Sequence, residues 1–69
     1  MNKIDNQKLK RTRMKHGLTQ ADMAEILGIS KVSYNLKENG KREFKQSEIN
    51  GILDLFTELS YEEIFLSAS

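Results

Sequence analysis

Polar capping residues and glycines cut the apolar pattern of this chain into five short segments, and the spacing within them predicts helices. Asp5 or Asn6 starts the first, whose inward positions are Leu9, Thr12, Arg13 and Met14, and Gly17 stops it in a left-handed conformation. Lys10, Arg11 and Lys15 fall on its outer side. Thr19 caps the second helix and Asp22 completes a capping box, with Met23, Ile26 and Leu27 as the apolar stripe and Gly28 as the end. Ser30 caps the third, which runs from Lys31 to about Glu38 and closes at Asn39-Gly40. Its apolar residues Val32, Tyr34 and Leu36 alternate as in a strand, but caps at both ends favour a helix. The fourth opens near Lys45 to Ser47 and carries Ile49, Ile52, Leu53 and Phe56 on one face. Ser60 with Glu63 opens a short fifth helix, Tyr61 to Leu66. An all-α bundle of five helices, occupying residues 1–69 as one domain, is the expected architecture.

Composition narrows what such a bundle can do. At 69 residues it buries a modest core and has no room for a deep active site. Without cysteine, and with one histidine, it offers neither a disulfide framework nor a thiolate metal site, and no glycine-rich phosphate loop is present. An enzyme, a cofactor, a bound metal and a small-molecule ligand are therefore not expected. No apolar run approaches the roughly 18 residues of a membrane span. The first residues carry no apolar segment of a secretory signal, so a cytoplasmic location is expected.

The net charge of +1 conceals a division at Arg42: residues 1–42 hold ten Lys/Arg against four Asp/Glu, and residues 43–69 one against six. The first part can meet phosphate and the second is repelled by it.

The window from Thr19 to Gly40 concentrates the constraints of two short helices crossing at a tight turn. The crossing needs a tiny residue and the turn a permissive backbone, which Ala24 and Gly28 supply. Met23, Leu27, Ile29 and Tyr34 are the apolar anchors. With Leu9, Arg13, Gly17-Leu18-Thr19-Gln20, Glu38-Asn39-Gly40-Lys41-Arg42-Glu43-Phe44, Ser47-Glu48-Ile49 and Glu62-Glu63-Ile64-Phe65, the chain resembles the Cro/repressor-type (XRE-like) helix-turn-helix family over Leu9 to Leu66. The resemblance implies a five-helix fold, double-stranded operator DNA as partner, and a major-groove role for the helix Lys31 to Glu38. It also implies a buried ion pair between Arg13 and Glu38.

Helical geometry then distributes roles. Tyr34 and the stem of Lys37 face inward, so base contacts fall to Lys31, Val32, Asn35 and Leu36. Lys31 suits guanine O6/N7, Asn35 suits adenine N6/N7, and Val32 and Leu36 suit thymine methyls. Thr19, Gln20, Ser33, Asn39, Lys41 and Arg42 are the candidate phosphate ligands, aided by free amides at the second helix's N-terminus. Lys10 and Lys15 are weaker candidates on a helix that faces away. His16 reads as a solvated helix-end residue, and Gly51, inside the fourth helix, marks a close approach of another helix.

Three residues depart from the family pattern: Thr12 where Leu is usual, Lys37 where an apolar or long basic residue is found, and Lys45 where a capping Thr commonly stands. Each is expected to weaken a local contact. Glu58, Glu62, Glu63, Ile64, Phe65 and Leu66 form a candidate protein-partner surface, serving a homodimer or a complex with a phage repressor. Two functions are consistent with these features: a Cro-like regulator acting by operator occupancy, and an antirepressor, similar to those of Gram-positive temperate phages, that binds a repressor protein. An antitoxin shares the fold without specific support.

Overall fold

A helix start leaves amides without partners, and here a nearby side chain takes them over at each start. The computed structural model describes residues 4–64, with α1 (Asn6–Lys15), α2 (Gln20–Leu27), α3 (Lys31–Glu38), α4 (Gln46–Leu55) and α5 (Tyr61–Ile64). Asp5 Oδ1 accepts from the Lys8 amide at 3.1 Å to begin α1. Thr19 and Asp22 exchange hydrogen bonds at 3.0 and 2.9 Å, the complete capping box of α2. The Ser30 and Ser60 hydroxyls accept from Ser33 and Glu63 amides to open α3 and α5. At α4 the N-cap is Lys45, which has no acceptor, and Glu48 reaches back to the Lys45 amide at 2.8 Å instead.

The core lies between the five helices, with α2 packed against α3 and α4, and α1 against α3. Leu9, Met23, Tyr34, Ile52, Phe56 and Ile64 are fully buried, ringed by Ile4, Ala24, Ile49 and Leu59. Leu18, Leu27, Ile29, Phe44, Leu53 and Leu55 pack half-buried around it. The two ends of the described segment are drawn together where the Asp5 amide donates to the Ile64 carbonyl at 2.7 Å. Gly51 meets Leu27 across the α2–α4 contact: a Cβ there would stand 3.0 Å from Leu27 Cδ2, so the close approach is real.

Several sequence expectations are corrected. Met14 is 60% exposed, because Leu9, Thr12 and Arg13 define the buried arc of α1 and Met14 lies a step beyond it. Ile26 is 49% exposed, since Met23 and Ala24 take the inward side of α2. The departures from the family pattern each have a local compensation. The Thr12 hydroxyl donates to the Lys8 carbonyl at 2.8 Å, and Lys37 is buried whole in an ion pair with Glu48. His16 is not simply solvated: its Nε2 lies 2.8 Å from Glu58 Oε2 and its ring packs tilted against Phe56, with centroids 4.8 Å apart. The fifth helix is described to Ile64, and the expected extension to Leu66 lies outside the described residues.

Candidate nucleic-acid interface

The site is built on a tight turn. Gly28 adopts φ +72°, a conformation that costs other residues about 1–2 kcal/mol, and so reverses the chain within Gly28-Ile29-Ser30. The Ile29 amide closes the turn on the Ala24 carbonyl at 2.9 Å, and Ala24, 3% exposed, lets α3 lie close across α2.

α3 then divides by side. Tyr34, Lys37 and Glu38 are buried, while Lys31 and Val32 are exposed, Val32 by 70%. Asn35 and Leu36 follow one turn later on the same outward strip and are half-buried, so Leu36 is not the freely exposed leucine expected from the sequence. Ser33 is half-buried as well, and its amide donates to Ser30 Oγ at 3.0 Å.

Two buried carboxylates and one amide hold the helix in place. Glu38 receives Arg13 Nε at 2.8 Å, Arg13 Nη2 at 3.1 Å, the Tyr34 hydroxyl at 2.6 Å and Gln20 Nε2 at 3.1 Å. Arg13 Nη1 also donates to the Leu18 carbonyl at 2.7 Å, joining α1 to α2 and α3 at one point. Burial pushes the Glu38 carboxyl upward, but the hydrogen bonds from Arg13, Tyr34 and Gln20 outweigh it and hold it below the usual carboxylate range. Burial, and then the bond to Glu38, drive the Tyr34 hydroxyl upward, so it remains a donor. Lys37 Nζ reaches both Glu48 oxygens at 2.8 and 2.9 Å, tying α3 to α4. Burial likewise opposes ionisation of Glu48, and the bonds from Lys37 and the Lys45 amide reverse its effect, leaving the carboxyl lowered. At the far end, Asn6 Nδ2 donates to the Lys37 and Glu38 carbonyls at 2.9 and 2.6 Å, capping the C-terminus of α3. The outward strip of α3 is therefore presented by a helix fixed at its turn, middle and end.

The candidate phosphate ligands fall on both flanks of this strip. Asn39, Lys41 and Arg42 follow α3 and are exposed. Thr19 is exposed with its hydroxyl oxygen accepting from the Asp22 amide. Gln20 is half-buried and not idle: besides its bond to Glu38, its Oε1 accepts from Asn35 Nδ2 at 2.9 Å. The Asp22 carboxylate, lowered by bonds from Thr19, sits at the same helix end and offsets part of its attraction for phosphate.

Of the partner surface expected at Glu58, Glu62, Glu63, Ile64, Phe65 and Leu66, one residue, Ile64, is withdrawn into the core. Ile64 is fully buried, whereas Glu62 and Glu63 are exposed and Glu58 is exposed in a surface pair with His16. Phe65 and Leu66 lie outside the described residues. Sequence reasoning missed Glu48, Asn6 and the second role of Gln20. For Glu48 a signal existed, since a capping position without an acceptor followed by glutamate at the third helical residue invites the reverse bond. For Asn6, whose partners lie at the far end of another helix, none did.

The sequence profile of the family described as helix-turn-helix matches residues 9–64. No curated protein and no solved structure matches the chain.

Proposed function

We propose that this chain, which belongs to the Cro/repressor-type helix-turn-helix family and is thus a DNA-binding transcription regulator, reads one operator sequence by laying the outward strip of α3 in the major groove. One observation carries this: Val32 and Leu36 lie on the side of α3 away from buried Tyr34, Lys37 and Glu38, with Lys31 and Asn35 along the edge of that side, and Val32 stands 70% exposed where packing gives it no use. A protruding valine beside a lysine fits a thymine methyl next to a guanine edge.

Thr19, Gln20, Ser33, Asn39, Lys41 and Arg42 hold register on the phosphates, carrying affinity without sequence choice. Two copies on a partly palindromic operator would sit about 34 Å apart, one helical turn, and act by occupying the promoter. An antirepressor function that works through acidic residues 58–66 has less support, because Ile64, one of the apolar residues it would use, is buried in the core. Binding titrations separate the roles: Lys31→Ala and Asn35→Ala lower affinity for the operator but not for random DNA, whereas Lys41→Ala weakens both and flattens the salt dependence. Equal losses on both DNAs for all three variants refute the assignment. Displacement of a repressor from DNA by a chain that itself binds none would establish the antirepressor instead.

A further inference from the structure

A relay of hydrogen bonds runs from the buried Glu38 carboxylate outward to Asn35 on the strip facing away from the core. Glu38 accepts from four donors, two on each oxygen, and an ionised carboxylate has no hydrogen to give. Gln20 must therefore turn its NH2 group inward, to Glu38 Oε1 at 3.1 Å. That orientation points Gln20 Oε1, which can only accept, at Asn35. Asn35 must in turn donate, and does so through Nδ2 at 2.9 Å. The orientation of both amides is thus dictated from the buried charge. One Asn35 amide hydrogen is committed; one hydrogen and the Oδ1 acceptor remain for a ligand.

We propose that this relay makes Asn35 select adenine against guanine, with Gln20 as the positioning residue. It rests on α3 being the reader of bases. Adenine shows a donor at N6 and an acceptor at N7, matching one acceptor and one hydrogen on Asn35. Guanine shows acceptors at both O6 and N7 and requires two hydrogens. The Asn35 NH2 group has two, but Gln20 holds one of them. Released from Gln20, the same amide can satisfy guanine. The second Gln20 amide hydrogen is left for a phosphate, so one side chain links backbone grip to base choice.

The test is sequence selection from a randomised double-stranded DNA library, followed by titrations on the selected site and on its single A-to-G variants. The full chain is used as wild type, Asn35→Ala, Gln20→Lys and Gln20→Met, with helical circular dichroism confirming that each folds. Lysine at position 20 still donates to Glu38 and adds a cation near the phosphates, but offers Asn35 no acceptor; methionine removes the acceptor without adding charge. Wild type is expected to prefer adenine over guanine at one position by about tenfold or more, and Asn35→Ala to erase that preference. Both Gln20 variants are expected to admit guanine at that position, while methionine also weakens binding overall. Retention of the adenine preference in both Gln20 variants, with its loss in Asn35→Ala, overturns the relay but leaves α3 as the reader. An unchanged profile in Asn35→Ala overturns both.

Discussion

Replacing Lys37 by methionine keeps the length and flexibility of the side chain and removes only its charge, so the Glu48 carboxylate is left buried with the Lys45 amide as its remaining partner. In the native pair the two side chains are 7% and 6% exposed, which excludes rescue by water without rearrangement. The carboxylate then either stays charged in a poor medium or takes a proton. Protonation sets the ceiling on the loss: from an unfolded value of about 4.3, neutralising a glutamate at pH 7 costs about 3.7 kcal/mol. We therefore expect Lys37→Met to lose roughly 3 kcal/mol at pH 7. A chain of 69 residues is held by a total of roughly 3–10 kcal/mol, so the loss is a large part of it. The sign of the pH dependence is diagnostic. In the variant the folded carboxyl is raised above its unfolded value, so stability is recovered as pH falls, and the ceiling drops to about 1.6 kcal/mol at pH 5.5. In the native protein the same carboxyl is lowered, so its contribution to stability is flat over that interval. Adding Glu48→Gln to Lys37→Met should restore most of the loss at pH 7, because the amide oxygen can still accept from Lys45 and carries no charge. Urea unfolding followed at 222 nm reads all of this. A loss below about 1 kcal/mol, with no recovery toward pH 5.5, would refute a buried charge pair at this position.

Acid should unfold the native domain through Glu38 and Glu48 together. Both are lowered in the fold, so their contribution is complete above the unfolded value near 4.3 and is lost as pH falls through the folded values. The melting temperature should hold from pH 7 to about 5 and fall below it; a rise below pH 4 would contradict this. Asn6→Ala frees two carbonyls at the end of α3 and should cost about 1–2 kcal/mol, with faster amide exchange in Asn39, Gly40 and Lys41 than in α2. Gly28→Ala meets no atom within 4 Å, so its cost of about 1–2 kcal/mol should be backbone strain alone, whereas Gly51→Ala should be near neutral as helix propensity offsets the push on Leu27. Met14→Lys and Ile26→Lys should shift stability by less than about 0.5 kcal/mol, against roughly 2–5 for Leu9→Ala, as chemical denaturation can measure.

What was legible in the sequence was what the chain decides locally. Caps at Asp5, Thr19, Ser30 and Ser60 act within three residues of themselves, so they can be read one segment at a time. Gly28 and the small Ala24 likewise announce the turn and the crossing that define the family. The buried arc of a short helix is less secure. In α1 the side occupied by Leu9 is completed by two polar residues, Thr12, bonded back to the Lys8 carbonyl, and Arg13, whose partners lie on other elements, so an apolar Met14 was an easy but mistaken addition. The polar interior was legible only where both ends belong to the family pattern. Lys37 looks like a weakened contact until Glu48, eleven residues away, is folded against it. Ile64 looks like a surface residue until α5 returns to the N-terminal segment and closes on Asp5. At the site, composition and spacing located Gln20 and Asn35 separately. Their bond to one another, and the orientation Glu38 imposes on it, belong to the tertiary structure.

The most direct test of the central claim is the affinity of the chain for its selected site against a shuffled duplex of the same composition, by fluorescence anisotropy across a salt series. A regulator that reads bases with α3 should bind its site roughly a thousandfold more tightly than the shuffled DNA at physiological salt. Lys31→Ala should reduce that ratio while leaving the shuffled-DNA affinity and its salt slope nearly unchanged. Equal affinity for the two duplexes, falling in parallel as salt rises, would contradict sequence recognition by this helix.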